Sequence, residues 1–475
     1  MLYQLLRGTA ATALRWYYAD VAVQGSERVP RDGPLLILAN HPNALIDPLL
    51  VGTAVPRRVL ITAKATLFEH PALALLFEAV GVVPLRRAKD ESRDGVQPPA
   101  APERNAAAFQ RVTAALRSRK VVLIFPEGIS HDDPSLAPLK SGAARMAIQA
   151  HSEGITGIRL LPVGLVFEAK EQPDSRVLVR IGDALDLDGW LSGRAADDAH
   201  ALTEELSRRL RAVTLNFASA ERAARAVQLA RVLSALAGSP APVDQPRSLE
   251  AEAALALRID AAIAALPSAP SHVIEAADAL VARLDGLERE LRERGISLDD
   301  VRVSTRVPDA VTFVVREGPL AALAGVTLVL GWVTHWIPLR AARALALRSL
   351  RRDASRDQPA MRTILFGLCA VVLWYVVQGV VVARIAGVPI ALLWLTLIFT
   401  AAHARRLGGG RLTRALQRAR SFLAFRADQA LQPRLVATVD ALLSDALALE
   451  QALASRGIPP MVDERSQVRG PGGGR

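Results

Sequence analysis

One cysteine, Cys369, occurs in 475 residues, and it lies in an apolar run. That excludes an internal disulfide and a cysteine-rich zinc site, and gives no support for an oxidising compartment. Lysine is almost as scarce, confined to positions 64, 89, 120, 140 and 170, so arginine carries nearly all of the positive charge behind the net +11. Aromatic residues make up only 4%, and no aromatic stripe interleaves with the arginines. Stacking on single-stranded nucleic acid is therefore not expected, and nucleic acid is not a predicted partner. No Gly-x-Ser-x-Gly elbow is present, so no serine nucleophile is apparent and a site in this chain is expected to work by direct transfer. The start Met1-Leu2-Tyr3-Gln4-Leu5-Leu6-Arg7 lacks a basic opening, and Arg7 and Arg15 interrupt its apolar run, so no secretory signal is expected.

What the chain has in quantity is apolar surface: 51% of its residues are hydrophobic. The length allows two or three domains. A basic, apolar chain with long hydrophobic stretches favours an anionic bilayer as its partner surface.

Residues 1–18 read as a helix, either lying at a membrane interface or packed on the core. From 19 to 236 apolar strands alternate with helical patterns. Strands are expected at 35–39, 58–62, 80–85, 121–125, 158–166 and 176–181, and helices at 43–53, 66–79, 104–118 and 141–152. Residues 198–236 are expected to close the domain as helix. The implied fold class is α/β, a mixed, largely parallel sheet covered by helices. A Pro-rich linker follows at 237–248, then a helical region over 249–318. Leu280, Leu284, Leu287 and Leu291 repeat at helical spacing, as do Leu435, Val439, Leu442, Ala446, Leu449 and Leu453 in the helical region 404–460. These stripes fit pairing with each other, pairing across a homodimer, or the inner face of core helices. The tail 461–475 reads as disordered.

Between 319 and 403 lie three apolar runs, 320–339, 363–383 and 385–402, each about long enough for the ~30 Å of a bilayer core. Arginines crowd 340–362 and the stretch after 403, whereas 384–389 carries only Arg384. Basic flanks around a nearly neutral turn predict a transmembrane hairpin over 363–402 with both ends cytoplasmic. If 320–339 also spanned, the basic loop and the preceding domain would lie on opposite sides. With His335 inside it and Pro338 near its end, it is read as re-entrant or surface-lying, with spanning as the alternative.

Two strand ends carry the chemistry. Leu35–Ala39 runs into Asn40-His41-Pro42-Asn43-Ala44-Leu45-Ile46-Asp47-Pro48, and Val121–Phe125 into Pro126-Glu127-Gly128-Ile129-Ser130-His131. A neutral imidazole at His41 can take a proton from a hydroxyl, and a carboxylate at Asp47 can fix its tautomer. The plainer alternative has His41 capping the helix that Pro42 begins. Gly128 suits a tight turn whose backbone N–H groups face an anion, and Lys140 precedes a helix start at Ser141. A structural turn and a solvated lysine are the alternatives there. Gly81 to Arg87 delivers Arg86 and Arg87 at a strand end, where arginine can grip a phosphate with two bonds. His70, His131 and His151 fall on different elements and are read as non-ligands.

Together the blocks at His41 and Asp47, Gly81 and Arg87, Phe125 through Gly128, and Leu161-Pro162-Val163 resemble the glycerolipid acyltransferases, the lysophosphatidate and glycerol-3-phosphate acyltransferases. The resemblance covers about residues 10–190. One departure stands out: five residues, not four, separate His41 from Asp47. The Asn-His-Pro-Asn start and the apolar hairpin resemble the membrane-bound glycerol-3-phosphate branch of fungi. The resemblance implies that His41 deprotonates an acceptor hydroxyl, that Asp47 orients His41, and that the alkoxide attacks an acyl thioester. It further implies that Arg87 and Lys140 bind the acceptor phosphate, that Glu127 and Gly128 shape the acceptor pocket, and that Lys64 contacts phosphate or carrier. No metal or redox cofactor is implied; the donor is an acyl-CoA or acyl carrier protein thioester. The expected partners are that donor, a phosphate-bearing glycerol acceptor and membrane lipids. The expected place is the cell membrane, with the catalytic domain on the cytoplasmic face. Acylation of another lipid alcohol, or non-catalytic lipid binding on the same fold, are the alternatives.

Overall fold

The computed structural model describes residues 2–44, 46–64, 82–85, 101–192, 198–238, 247–348 and 358–454. They divide into two compact units, Met1–Asn216 with Arg340–Ala370, and Phe217–Leu339 with Val371–Arg475.

The first unit is built on an eight-stranded sheet. Its strands are β1 (Asp20–Gln24), β2 (Leu35–Ala39), β3 (Val59–Lys64), β4 (Val83–Leu85), β5 (Val121–Ile124), β6 (Arg159–Phe167), β7 (Arg176–Ile181) and β8 (Leu185–Asp186). The order across the sheet is β1-β7-β6-β2-β5-β3-β4, with β8 pairing β6. Pairings are parallel throughout except β6 with β7 and with β8. The sheet is thus mixed and mostly parallel, covered by helices. Burial explains the apolar runs. All five residues of β2 and all four of β5 are buried, because helices cover both faces of a parallel core. Alternate residues serve opposite layers. Leu35, Ile37 and Ala39 join Val121 and Leu123 in one core, and Leu36 and Leu38 join Val122 and Ile124 in the other.

Helix α1 (Leu2–Tyr17) and α2 (Ile46–Ala54) cover the first face; Leu14, Tyr17, Ile46, Leu50 and Val51 lie in its core. The far half of α1 is therefore core, while Leu2 and Leu5 at its start are exposed. On the second face lie α3 (Ala101–Arg117), α4 (Gly142–Ser152), the short α5 (Leu187–Leu191) and α6 (Ala199–Val213). Two strands had no sequence signal strong enough to find them. β1 is an edge strand with no buried residue, and β8 has two residues. The expected helix at 66–79 lies outside the described residues.

The second unit is helical: α7 (Ala220–Ala237), α8 (Leu249–Ala265), α9 (Ser271–Glu293), α10 (Val307–Arg348), α11 (Gln358–Ala386), α12 (Val388–Ala427) and α13 (Leu431–Ala454), with α10 and α11 each contributing one end to the first unit. Helix α7, expected to close the α/β domain, belongs to this second unit, and the boundary falls after Asn216. The reason is its partner: α7 packs on α8, with Arg222 paired to Asp260. The two leucine stripes pair with each other, α9 against α13. Leu280, Leu284, Leu287 and Leu291 are buried, as are Leu435, Val439, Leu442 and Leu453. The stripes that could have served a dimer are thus spent within one chain.

Two helices, Val307–Arg348 and Arg362–Ala386, are long and apolar enough to cross a membrane, and Val388–Ala402 is a shorter apolar helix. Helix α10 runs unbroken for 42 residues through Pro319 and Pro338; residues 320–339 contain no re-entrant turn. Helices α11 and α12 reverse at Gly387, whose φ is +89°. Across that reversal Trp394 Nε1 donates to Gln378 Oε1 at 3.2 Å. Only 6% of the apolar stretch of α11 is buried. Replacing Leu284 by Ala should cost the helical unit about 2–5 kcal/mol, as large-to-small core changes do. Urea unfolding followed by circular dichroism in detergent checks it.

Candidate active site

The site forms where β2, β5 and β6 end together. All three run parallel, so their C-terminal ends meet at one edge of the sheet, the usual place for a ligand site in an α/β fold. β2 ends at Ala39 and delivers His41; β5 ends at Ile124 and delivers Glu127; β6 ends at Phe167 and delivers Lys170.

Asn40 locks the exit from β2. Its amide donates to the Leu165 carbonyl at 3.0 Å and accepts from Leu165 N–H at 2.7 Å, extending the β2–β6 ladder with a side chain. His41 then stacks on Phe125, ring centres 4.0 Å apart and 16° from parallel. The turn that follows absorbs the extra residue between His41 and Asp47. Ala44 sits at φ +38°, and Ile46 N–H bonds back to the Asn43 carbonyl at 2.9 Å. Asp47, in the first turn of α2, is thereby returned to the imidazole.

His41 Nδ1 lies 2.9 Å from Asp47 Oδ2, and Asn43 N–H donates to that same oxygen at 2.7 Å. Asp47 is 0% exposed. Burial pushes its carboxyl above the usual range, while the His41 and Asn43 hydrogen bonds and the nearby Lys170 charge pull the other way. A proton on Nδ1, facing the carboxylate, would leave the other ring nitrogen, Nε2, to act as a base.

Glu127, read as shaping the acceptor pocket, is 2% exposed, and both of its oxygens bond within the protein. Oε1 accepts from His41 N–H at 2.8 Å, and Oε2 accepts from Ala137 N–H at 2.8 Å and faces His131 Nε2 at 2.5 Å. A buried carboxylate so engaged holds the loops together. His131, set aside in the sequence, is thus beside the site. His151 pairs instead with Asp188, at 3.5 Å.

Gly128 adopts φ +74°, and the Lys140 side chain lies across it: a Cβ added there would meet Lys140 Nζ at 2.8 Å. Lys140 N–H bonds the Pro126 carbonyl at 2.9 Å, and the lysine is exposed. Gly128 therefore clears the space that a solvent-facing cation occupies. Lys64 is the last residue of β3, in register with Leu85 at the end of β4. Arg87, Gly81 and His70 lie outside the described residues. Leu161 and Pro162 lie in β6 beside Ile37 and Leu38.

Several site residues had no assigned role in the sequence. Ser130 Oγ accepts from Ala44 N–H at 3.2 Å, and Asn43 Nδ2 donates to the Tyr18 hydroxyl at 3.0 Å. Burial holds Tyr18 as a neutral phenol. Lys170 was the one with a readable signal, a lone lysine in an arginine-rich chain placed just beyond a strand.

Residues 20–166 match the family model described as acyltransferase. This segment is an acyltransferase-family domain. The chain is 33% identical over 107 residues to a glycerol-3-phosphate O-acyltransferase of Saccharomyces cerevisiae, covering 22% of this chain and 14% of the relative. It is 28% identical over 145 residues to a 1-acyl-sn-glycerol-3-phosphate acyltransferase of Borreliella burgdorferi, covering 30% and 50%. Half or less of each relative's length is thus matched. Among solved structures, the 1-acyl-sn-glycerophosphate acyltransferase PlsC of Thermotoga maritima aligns with 44% of this chain and 78% of its own, at 21% identity and a TM-score of 0.33. All the site residues named above except Tyr18 and Lys170 lie within that matched segment.

The buried carboxylate yields a stability prediction. The folded-state pKa of Asp47 is raised, so the folded chain holds the proton more tightly than the unfolded chain. Stability is therefore lost as pH rises from the ordinary carboxylate pKa through the raised one. Asp47→Asn removes that cost: at neutral pH its melting temperature should equal or exceed wild type, with the difference narrowing towards pH 4. Thermal melts across pH check it.

Proposed function

We propose that the protein is a membrane-bound O-acyltransferase that moves a fatty acyl group from an acyl thioester to a hydroxyl of glycerol-3-phosphate or of its 1-acyl ester. The observation that carries this reading is the 2.9 Å pair between His41 Nδ1 and the sealed carboxylate of Asp47. In the proposed reaction His41 Nε2 takes the proton of the acceptor hydroxyl. The oxygen attacks the thioester carbonyl, the C–S bond breaks, and the thiolate leaves with the proton that His41 has held. Asp47 keeps Nδ1–H in place and stabilises the imidazolium. The acceptor phosphate is assigned to Lys140 over Gly128 and to Arg87. The names of the yeast and Borreliella relatives support a glycerol phosphate or its monoacyl ester as acceptor. An acyl-CoA or an acyl carrier protein thioester both fit as donor.

A bilayer setting follows from the chemistry and from the exposed apolar helices. Acyl chain and product dissolve in lipid, while phosphate and carrier do not. Val372, Leu373, Val376, Val380 and Val381 of α11 are all exposed, a cluster of apolar side chains of the kind that marks a membrane or partner surface. The arginine-rich segments around 363–402 favour the cytoplasmic leaflet, at roughly 1 kcal/mol for each arginine near an anionic surface. The catalytic domain is assigned to that side.

The test is a donor-by-acceptor matrix on purified protein in mixed micelles, with products read by mass spectrometry. His41→Ala should lower kcat by about 10³-fold or more, and Lys140→Ala should raise KM for the phosphate-bearing acceptor with kcat little changed. Transfer that survives His41→Ala, or proceeds equally without the phosphate, would remove the reading. Separately, the protein should stay with membranes through an alkaline carbonate wash and leave only in detergent; recovery in the wash would contradict bilayer insertion.

A further inference from the structure

Lys170 has no part in the chemistry described so far, yet it touches the loops that carry it. Its ammonium donates to the Pro42 carbonyl at 2.5 Å and to the His131 carbonyl at 3.3 Å, and it pairs with the Asp132 carboxylate. The side chain is 13% exposed. A lysine so enclosed loses most of its hydration and needs bonds to replace it. It finds them on two loops at once, the 40–44 turn and the 131–132 stretch.

The Pro42 carbonyl is one end of a peptide group whose other end is Asn43 N–H. That N–H donates to Asp47 Oδ2 at 2.7 Å, the oxygen that faces His41 Nδ1. A peptide group is rigid and planar. Fixing its oxygen therefore fixes the direction of its N–H. A cation on the oxygen also polarises the group and strengthens the bond on the far side, as linked hydrogen bonds in a low-dielectric interior do. The turn includes Ala44 at φ +38°, a conformation that L side chains adopt rarely, so it needs outside ties to persist.

We infer that Lys170 is a positioning residue for the His41–Asp47 pair, acting through the Pro42–Asn43 peptide plane. This rests on the proposed acyl transfer for its kinetic consequence, but its structural consequence stands alone. Without Lys170 the peptide loses the tie on its oxygen, Asn43 N–H turns away from Asp47 more often, and the carboxylate is held less firmly toward His41. The imidazole then spends less time in the geometry that accepts a proton from the acceptor. Substrate contacts are not altered.

The experiment compares the full-length protein with Lys170→Met, which keeps the apolar stem, and with Asp132→Asn, which removes the ion pair and leaves the carbonyl bonds. Lys170→Met should lower kcat by about 10- to 100-fold with KM for both substrates within about twofold, and Asp132→Asn should stay within about threefold of wild type. Hydrogen exchange followed by mass spectrometry should show the segment containing Asn43 exchanging about tenfold faster in Lys170→Met, with the β2 and β5 amides unchanged. An unchanged kcat in an active enzyme, or faster exchange spread over the whole sheet, would overturn the inference. If the wild type transfers no acyl group, the proposed function fails on that result. Exchange at Asn43 then decides the role of Lys170: local acceleration supports it and its absence removes it.

Discussion

The arrangement of the site depends on one costly group, the Asp47 carboxylate, sealed from water at the start of α2. An ion with no exposure must be held by donors or give up its charge. Here His41 Nδ1–H and Asn43 N–H converge on a single oxygen, Oδ2, and the positive end of a helix N-terminus adds its field. Those donors stand in place only because the 40–44 turn is fixed at several points. Asn40 ties it to β6 on one side, Glu127 takes the His41 amide, and Ser130 takes the Ala44 amide. Loosening the turn would leave a buried carboxylate without its partners, so the stability of the loops and the geometry of the base are one requirement.

The apolar runs of β2, β5 and β6 were legible because a strand buried on both faces leaves a long hydrophobic stretch. β1 was not, since an edge strand with no fully buried residue has little to distinguish it. The end of the α/β unit was also hidden. Helix α7 is rich in Ala, Leu and Arg like its neighbours, and only its packing on α8 assigns it. In the site, His41 and Asp47 could be paired from their position after β2, but the five-residue interval left the contact open until the Ala44 turn was seen. Glu127 was recognised as part of the site, but a motif residue next to a glycine does not show that its carboxylate ties His41 N–H to the 131–137 loop. Lys170 sits some 130 residues from the turn it holds. A contact of that range is set by the adjacency of β2 and β6, which local pattern does not contain.

Arginine and lysine divide the work in this chain along chemical lines. Arginines pair with carboxylates across the helical unit, Arg411 with Glu317 and Arg418 with Asp300 among them, where a planar fork meets a planar acid. The two lysines whose side chains meet the site do something else. A compact ammonium on a flexible stem can reach a carbonyl within a narrow space, as Lys170 does, or lie across a glycine in solvent, as Lys140 does. Neither position suits a wide planar group.

On the proposed reading, the cost of burying Asp47 is also part of how the reaction is helped. Before proton transfer the carboxylate is sealed from water, and that burial holds its pKa above the ordinary range. When His41 accepts the hydroxyl proton, the same carboxylate faces an imidazolium, and a fully formed ion pair replaces a hydrogen bond in a dry setting. The interaction is stronger in the charged state than in the resting state, so it lowers the barrier and does not merely bind. A more exposed aspartate would be easier to ionise at rest and would gain less on transfer. The sealed turn, with its several ties to backbone amides and carbonyls, is what keeps water from evening out that difference.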